Sequence, residues 1–349
     1  MRGVSLIVRS SDGASRLPAA LAHLKAQAPT IVPWEILLVD NASTDDTVKV
    51  ALSCWGEGPV PLRVVPEPGR GRQSATERGL KEARYEFVGF VDDDNWVAPD
   101  WVQVAYRALA SDSFLGAVGS VCDPVFETPE PKWFSEFHSS YGVLTDSDLI
   151  HHKDPWEYLH GAGLCIRKQA WTRLVQGGFR SLVTDRVGRR SPGSGDTELT
   201  LAIRLAGWKI RVEQCLRLKH FIPAERLCWE YLRRQQRGCA ASQALLDAYS
   251  AHNLSMRYRL KPRLGQLWWC QAGRCLLKLM HRPRAVAVAL SSRGEDQQDV
   301  IEVDRLFGRI LGMVRLRGRY SGSRRHVRYA PWRLRRPEEY VRQSREAHV

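Results

Sequence analysis

Three consecutive carboxylates, Asp92, Asp93 and Asp94, follow directly on the apolar run 87–91. Adjacent carboxylates repel one another unless a cation or hydrogen-bond donors compensate. In extended backbone Asp92 and Asp94 point to one side and Asp93 to the other. Such a pair can hold Mg²⁺ or Mn²⁺ while the ion neutralises a diphosphate. A solvent-exposed acidic turn is the plain alternative. Asp40 weighs against it, because it also ends an apolar run, 35–39, and opens the polar stretch Asn41, Ala42, Ser43, Thr44, Asp45. A third polar cluster, Arg9 to Asp12, follows the run 4–8. Clusters of this kind at several strand ends point to one polar pocket.

The elements that must carry these residues follow from the pattern. Residues 4–8, 35–39, 62–65, 87–91 and 115–120 read as short strands. Residues 16–27, a stretch capped at 43–45 and running to about 54, 73–83 and 100–110 read as helices. This alternation predicts an α/β fold, a parallel sheet with helices on both faces. Ligands bind such sheets at the carboxyl ends of the strands, where the three polar clusters fall. Residues 124–154, rich in Pro, Ser, His and aromatics, read as a long surface excursion, and 177–195, rich in Gly, Ser and Arg, as a mobile loop. Residues 161–167 and 208–212 read as strands and 196–206 as a helix. The chain turns helical from 225. Gly-x-Gly-x-x-Gly is missing after the first strand and there is no P-loop, so nicotinamide dinucleotide binding has little support.

The 349 residues suffice for a large core, and the net charge is +14. That charge is divided. Residues 1–150 hold 13 Lys/Arg and 21 Asp/Glu, a net of −8, whereas 151–349 hold 39 and 17, a net of +22. The acidic half suits a divalent metal and the basic half phosphates, polyanions or a membrane face. No apolar run is long enough to span a bilayer, and 4–8 is too short for a signal-peptide core. The expected location is the cytoplasm, including the cytoplasmic face of a membrane. Eight cysteines without a CxxC pair read as free thiols.

Four blocks together resemble the family 2 glycosyltransferases of the GT-A fold. They are Val4-Ser-Leu-Ile-Val8 with Arg9 to Asp12, Glu35 to Asp45, Phe90-Val-Asp-Asp-Asp-Asn95, and Gly195-Asp-Thr-Glu-Leu199 followed by Gly207-Trp-Lys-Ile210. The resemblance covers roughly residues 3 to 235. It implies a GT-A catalytic domain over 1–240, with a nucleotide-sugar half of about 1–120 and an acceptor half of about 121–240. A basic helical extension and flexible tail occupy 241–349. It implies an inverting, hexosyltransferase-like enzyme that needs Mn²⁺ or Mg²⁺. The donor would be a nucleoside-diphosphate sugar, by default UDP-linked, and the acceptor a hydroxyl of a glycan, glycolipid or other glycoconjugate, as in polysaccharide biosynthesis. Asp40 would contact the nucleobase, with Arg9, Ser10, Asp12, Asn41, Gly71 and Asp93 also on the donor side. Asp92 would approach ribose or metal, Asp94 would be the direct metal ligand, and His220 would complete the site. Asp196 would be the general base, with Glu198 as runner-up.

The chain departs from that pattern in places. Arg9 stands where the first strand usually ends in proline, and Thr76-Glu77 replace an Arg-Asn pair. Asp196 also reads as a helix cap, and His220 as a packing histidine. Arg226 and Arg233-Arg234 read as diphosphate or acceptor contacts or as solvated cations. Trp133, Phe134, Tyr141, Trp156, Tyr158, Trp229 and Tyr231 read as sugar-stacking or core aromatics. Residues 264–280 read as a basic amphipathic helix that lies on an anionic membrane, packs on the catalytic domain or pairs with a second subunit. Residues 315–336 read as an arginine-rich tail. Two other functions stay open at this point. Nucleic-acid binding has the basic half in its favour but no recognised module. A metal-dependent nucleotidyltransferase would use the same carboxylates but lacks its glycine-rich loop.

Overall fold

The computed structural model describes residues 1–151, 157–183, 194–253, 267–291 and 294–334. The first part runs β1 (Val4–Ser10), α1 (Leu17–Lys25), β2 (Trp34–Asp40), α2 (Thr47–Trp55), β3 (Leu62–Pro66), α3 (Arg72–Glu82), β4 (Phe87–Asp92), β5 (Asn95–Val97), α4 (Trp101–Ala110) and β6 (Leu115–Phe126). There follow α5 (Phe134–Phe137), α6 (Asp146–His151), β7 (Cys165–Arg167), α7 (Lys168–Gln176), α8 (Gly195–Leu205) and β8 (Lys209–Ile222). The helices α9 (Trp229–Asn253), α10 (Trp268–Met280), α11 (Pro283–Leu290), α12 (Gln298–Arg315) and α13 (Tyr320–Arg328) close the described chain. Every residue of β1 is buried, and so are the first six of β2 and the first five of β4, so these strands are covered on both faces. That is why they read as unbroken apolar runs rather than as alternation.

The sheet order is β3-β2-β1-β4-β7-β6-β8-β5. The α/β architecture is as expected, but the sheet is mixed. β3, β2, β1 and β4 run parallel, β7 is antiparallel to both β4 and β6, and β5 is antiparallel to β8. The physical reason lies in the connections. The chain leaves β4 and β6 at the carboxyl end of the sheet and re-enters at that same end, with no helix carrying it back across a face. β6 and β8 run on to Phe126 and Ile222, well past the expected ends at 120 and 212, because they pair with each other along that length. Of the strand expected over 161–167, only Cys165–Arg167 forms.

The segment 124–154 is not a surface excursion throughout. Trp133, Phe134, Phe137 and Tyr141 are buried and share a core with Trp229 of α9, Cys275 and Leu279 of α10, and Val300 and Val303 of α12. Residues 315–334 are not a tail either. Tyr320–Arg328 is helical, and Trp332 is buried in the same core as Ile7 and Phe90 of the sheet. Residues 184–193 of the expected loop, Trp156, and 335–349 lie outside the described residues. Among the described residues no helix is long and apolar enough to cross a membrane.

α12 crosses α9 at two glycines one turn apart. A Cβ on Gly308 would stand 2.1 Å from the Arg237 carbonyl oxygen, and one on Gly312 2.3 Å from that of Ala241. Only glycine admits so close a backbone approach. Nearby, buried Arg233 donates to Asp304 of α12 and to the Ala289 carbonyl, which makes it a structural clamp rather than a substrate contact. Gly308→Ala should therefore lower the unfolding free energy by about 1–3 kcal/mol, the usual cost of overpacking. Urea unfolding followed by tryptophan fluorescence checks this, and an unchanged midpoint would contradict the crossing.

Candidate active site

A cleft of about 1100 Å³ opens at the carboxyl ends of the strands. Register brings its residues together. Arg9 pairs with Asp92 across β1 and β4, Ser10 with Asp40 across β1 and β2, and Asn95 with His220 across β5 and β8. Two short loops are then stapled behind the strand ends. The Asn41 amide donates to the Gly69 carbonyl and accepts from Gly71 N–H, where φ is 126° and α3 begins. Asp12, at φ 49°, accepts from both the backbone N–H and the hydroxyl of Thr44. Those two bonds hold its exposed carboxyl below the usual range. Asp40 accepts from Ser43 N–H. Of the expected donor-side residues, Arg9, Ser10, Asn41, Asp92 and Asp93 line the cleft, whereas Asp12, Asp40 and Gly71 do not.

Arg9 is the hub. Its Nε donates to Asp92 Oδ1 (2.9 Å), and its Nη1 donates to Thr76 Oγ1 (2.9 Å) and Asp196 Oδ1 (3.2 Å). Its guanidinium lies 4.9 Å from the Phe90 ring centroid. Arg72 bridges the same two carboxylates from the solvent side, in a short contact with Asp92 and at 3.3 Å from Asp196. The Arg72 side chain is 39% exposed and that of Arg9 4%, so only Arg72 has room to turn. Asp196 sits in the first turn of α8, where the helix dipole favours an anion. Gly161 makes room for it, since a Cβ there would stand 1.9 Å from Asp196 Oδ2. Burial would raise the Asp196 pKa, but Arg72 and Arg9 outweigh it and hold the carboxyl below 3.8.

The other carboxylates each have their own cation. Asp93 accepts from the Ser10 hydroxyl (2.7 Å) and from both Nε and Nη2 of Arg16 (3.1 and 2.9 Å). Burial is the stronger influence there and pushes its pKa up. Asp94 Oδ2 stands 3.4 Å from His220 Nε2 and 3.2 Å from Arg226 Nη1. Burial opposes charge on His220, but the Asp94 carboxylate prevails and raises the imidazole to about 10. Glu198 does not face the cleft. It accepts from Leu182 N–H (2.7 Å), Val183 N–H (3.2 Å), the Ser181 hydroxyl and the Tyr249 hydroxyl (2.6 Å), and so ties α8 to its surroundings.

The donor chemistry at Asp94 and His220 fits a divalent cation once the imidazole gives up the proton that Asp94 holds on it, as metal binding to histidine requires. Two ligands bonded at right angles to one ion at about 2.1 Å stand about 3 Å apart, close to the separation of these two atoms. Asp92 instead faces Arg9 and Arg72. Among the described residues no three His, Cys, Asp or Glu side chains converge as a metal cage.

The sequence reading missed Arg16, Arg72 and His160 as cleft residues, and Thr76 as a buried partner of Arg9. An arginine ending a buried strand, at position 9, was the available signal that buried carboxylates lay opposite. His160 lines the cleft, and burial lowers its pKa. Tyr158 and Tyr231 line the cleft, whereas Trp133 and Trp229 pack in the core.

Residues 5–163 match the family model described as Glycosyl transferase family 2. Chondroitin synthase of Pasteurella multocida is 28% identical over 89 residues, 26% of this chain and 9% of that protein. EpsH of Bacillus subtilis, named as a glycosyltransferase, is 26% identical over 177 residues, 50% of this chain and 46% of that protein. The chain thus spans less than half the length of these curated relatives. A mannosyltransferase from Pyrobaculum calidifontis, solved with GDP-Man and Mn²⁺, superposes with a TM-score of 0.57 at 18% identity, covering 91% of this chain and 87% of that one. The fold is GT-A, as the four blocks implied.

Removing the Arg9 guanidinium leaves buried Asp196 and partly buried Asp92 short of a partner. Breaking such a buried network costs about 3–5 kcal/mol, against about 0–1 kcal/mol for an exposed pair. Arg9→Met should lose stability of that order at neutral pH. Asp196, its pKa lowered by folding, contributes stability above pH 3.8 that disappears as pH falls below it. The gap between wild type and Arg9→Met should therefore narrow in acid. Chemical denaturation from pH 7 down to pH 3 measures both effects, and a gap that is small or independent of pH would contradict the hub.

Proposed function

We propose, from the match of residues 5–163 to the family 2 glycosyltransferase model, that the protein transfers a sugar from a nucleoside-diphosphate sugar to an acceptor hydroxyl with inversion at the anomeric carbon. The observation that carries this reading is the opening of the Asp94–His220 pair and Asp196 into one cleft at the carboxyl ends of the strands. The donor is by default UDP-linked. Asp94 and His220 would hold Mn²⁺ or Mg²⁺, whose remaining ligands would be phosphate oxygens and water. When bound, the ion offsets charge developing on the leaving diphosphate. Asp196 takes the acceptor proton. The acceptor oxygen bonds to the anomeric carbon as the bond to the diphosphate oxygen breaks, and that electron pair leaves with the diphosphate. Two guanidiniums keep Asp196 ionised, but they also weaken it as a base. The half-exposed Arg72 is placed to turn from Asp196 toward donor phosphates, which restores basicity when donor is bound.

A peripheral contact with the cytoplasmic face of an anionic membrane accompanies this reading. Trp269, Leu276, Leu277 and Met280 of α10 are exposed and share helical spacing. Lys278, Arg282 and Arg284 stand close by in sequence, and 250–349 carries 22 Lys/Arg against 8 Asp/Glu. Apolar side chains flanked by cations suit an anionic interface.

Calorimetric titration with UDP, GDP and dTDP, with Mn²⁺, Mg²⁺ or EDTA, should show one metal-dependent diphosphate that Asp94→Ala fails to bind. Asp196→Asn should keep that binding and lose about 10²-fold or more in transfer rate, the usual contribution of a positioned base. Metal-independent binding, or full activity in Asp196→Asn, would overturn the assignment. On vesicles, Leu276→Ser/Leu277→Ser should sediment less with anionic lipid and equally little with neutral lipid. Equal sedimentation of wild type and variant would remove the membrane contact.

A further inference from the structure

The cleft has a second wall, built by α9, α10 and α12 rather than by the strand ends. α10 presents three faces. Trp268, Ala272, Cys275 and Leu279 pack into the core, and Trp269, Leu276, Leu277 and Met280 face outward. Gln271, Arg274 and Lys278, at i, i+3 and i+7, line the cleft. Arg305 of α12 lines it too and donates to Gln236 Oε1 of α9 (2.8 Å).

The charges on the two walls are balanced differently. At the strand ends Arg9, Arg16, Arg72 and Arg226 are each paired with an aspartate. Arg309, on the helical wall, is paired with Asp247 (2.7 Å). Arg274, Lys278 and Arg305 show no carboxylate partner among the described residues, and Glu302 is the acidic residue lining this wall. Gln235 adds an independent sign. Its Oε1 is buried, borders the cleft and accepts no hydrogen bond, which in a folded protein marks a place for a donor such as a sugar hydroxyl.

We propose that Arg274, Lys278 and Arg305 form an anion-binding subsite for an acceptor that carries a phosphoryl or carboxylate group, while Gln235 receives one of its hydroxyls. Guanidinium forks match either oxyanion, and an ammonium adds a point charge. The inference rests on the transferase reading, since the strand-end wall is then reserved for the donor. It narrows the acceptor from any hydroxyl compound to an anionic glycoconjugate.

The test uses the full chain with and without saturating nucleoside diphosphate and Mn²⁺. Hexyl phosphate, hexyl glucuronide and neutral hexyl glucoside are titrated by calorimetry. At least one anionic probe should bind about tenfold or more tighter than the glucoside, and the one that does names the oxyanion. Arg274→Ala/Lys278→Ala, both at exposed positions, should abolish that preference and leave nucleoside diphosphate binding within about twofold. Lys278→Glu should invert the preference without weakening the glucoside. Equal binding of all three probes, or a preference untouched by these variants, overturns the subsite. Loss of nucleoside diphosphate binding in wild type would instead overturn the donor reading, and the anion preference would still be readable.

Discussion

The buried Arg9 guanidinium, held between Asp92 and Asp196, is the interaction on which the cleft depends. It joins the end of the first strand to the end of the fourth and to the first turn of a helix 187 residues away in sequence. Without that guanidinium, buried Asp196 and partly buried Asp92 would keep only the half-exposed Arg72 between them. Arg9 settles the matter from inside the protein, with no ligand needed. Arg72 repeats its contacts from the solvent side, where its side chain is half-exposed.

This arrangement assigns different work to neighbouring carboxylates. Asp93 is a structural anion, held by Ser10 and Arg16 and raised in pKa by burial. Asp94 faces an imidazole and a guanidinium, and shares its charge between them. Asp196 is ionised and packed so tightly against Gly161 that its position is fixed before any substrate arrives. Three adjacent aspartates and a distant fourth thus become non-equivalent through their partners alone.

The C-terminal helices belong to the same machine. They cross α9 so closely that two glycines are required, bury Trp332 beside the sheet core, and supply cations to the cleft. At the strand ends acidic residues are neutralised in place, whereas Arg274, Lys278 and Arg305 of the helical wall have no carboxylate partner among the described residues.

Much of this was legible in the chain itself. The apolar runs ending at Arg9, Asp40 and Asp92 specify buried strands, because a strand covered on both faces must be apolar throughout. The polar residues that follow then have to meet at one end of the sheet. The family resemblance implied one site for Asp94, His220 and Asp196, and the structure brings all three to the lining of one cleft. What only the tertiary structure decided depends on contacts between distant segments. β7 and β5 run antiparallel because their connections stay at the carboxyl end, which local periodicity does not encode. Glu198 and Asp196 lie two positions apart on one helix, and that spacing turns one carboxylate toward the cleft and the other into the core. The aromatic segment after β6 and the arginine-rich stretch around Trp332 looked like surface because their partners come from helices far away in sequence. Burial of such residues is a property of the assembled fold, not of the segment that contains them.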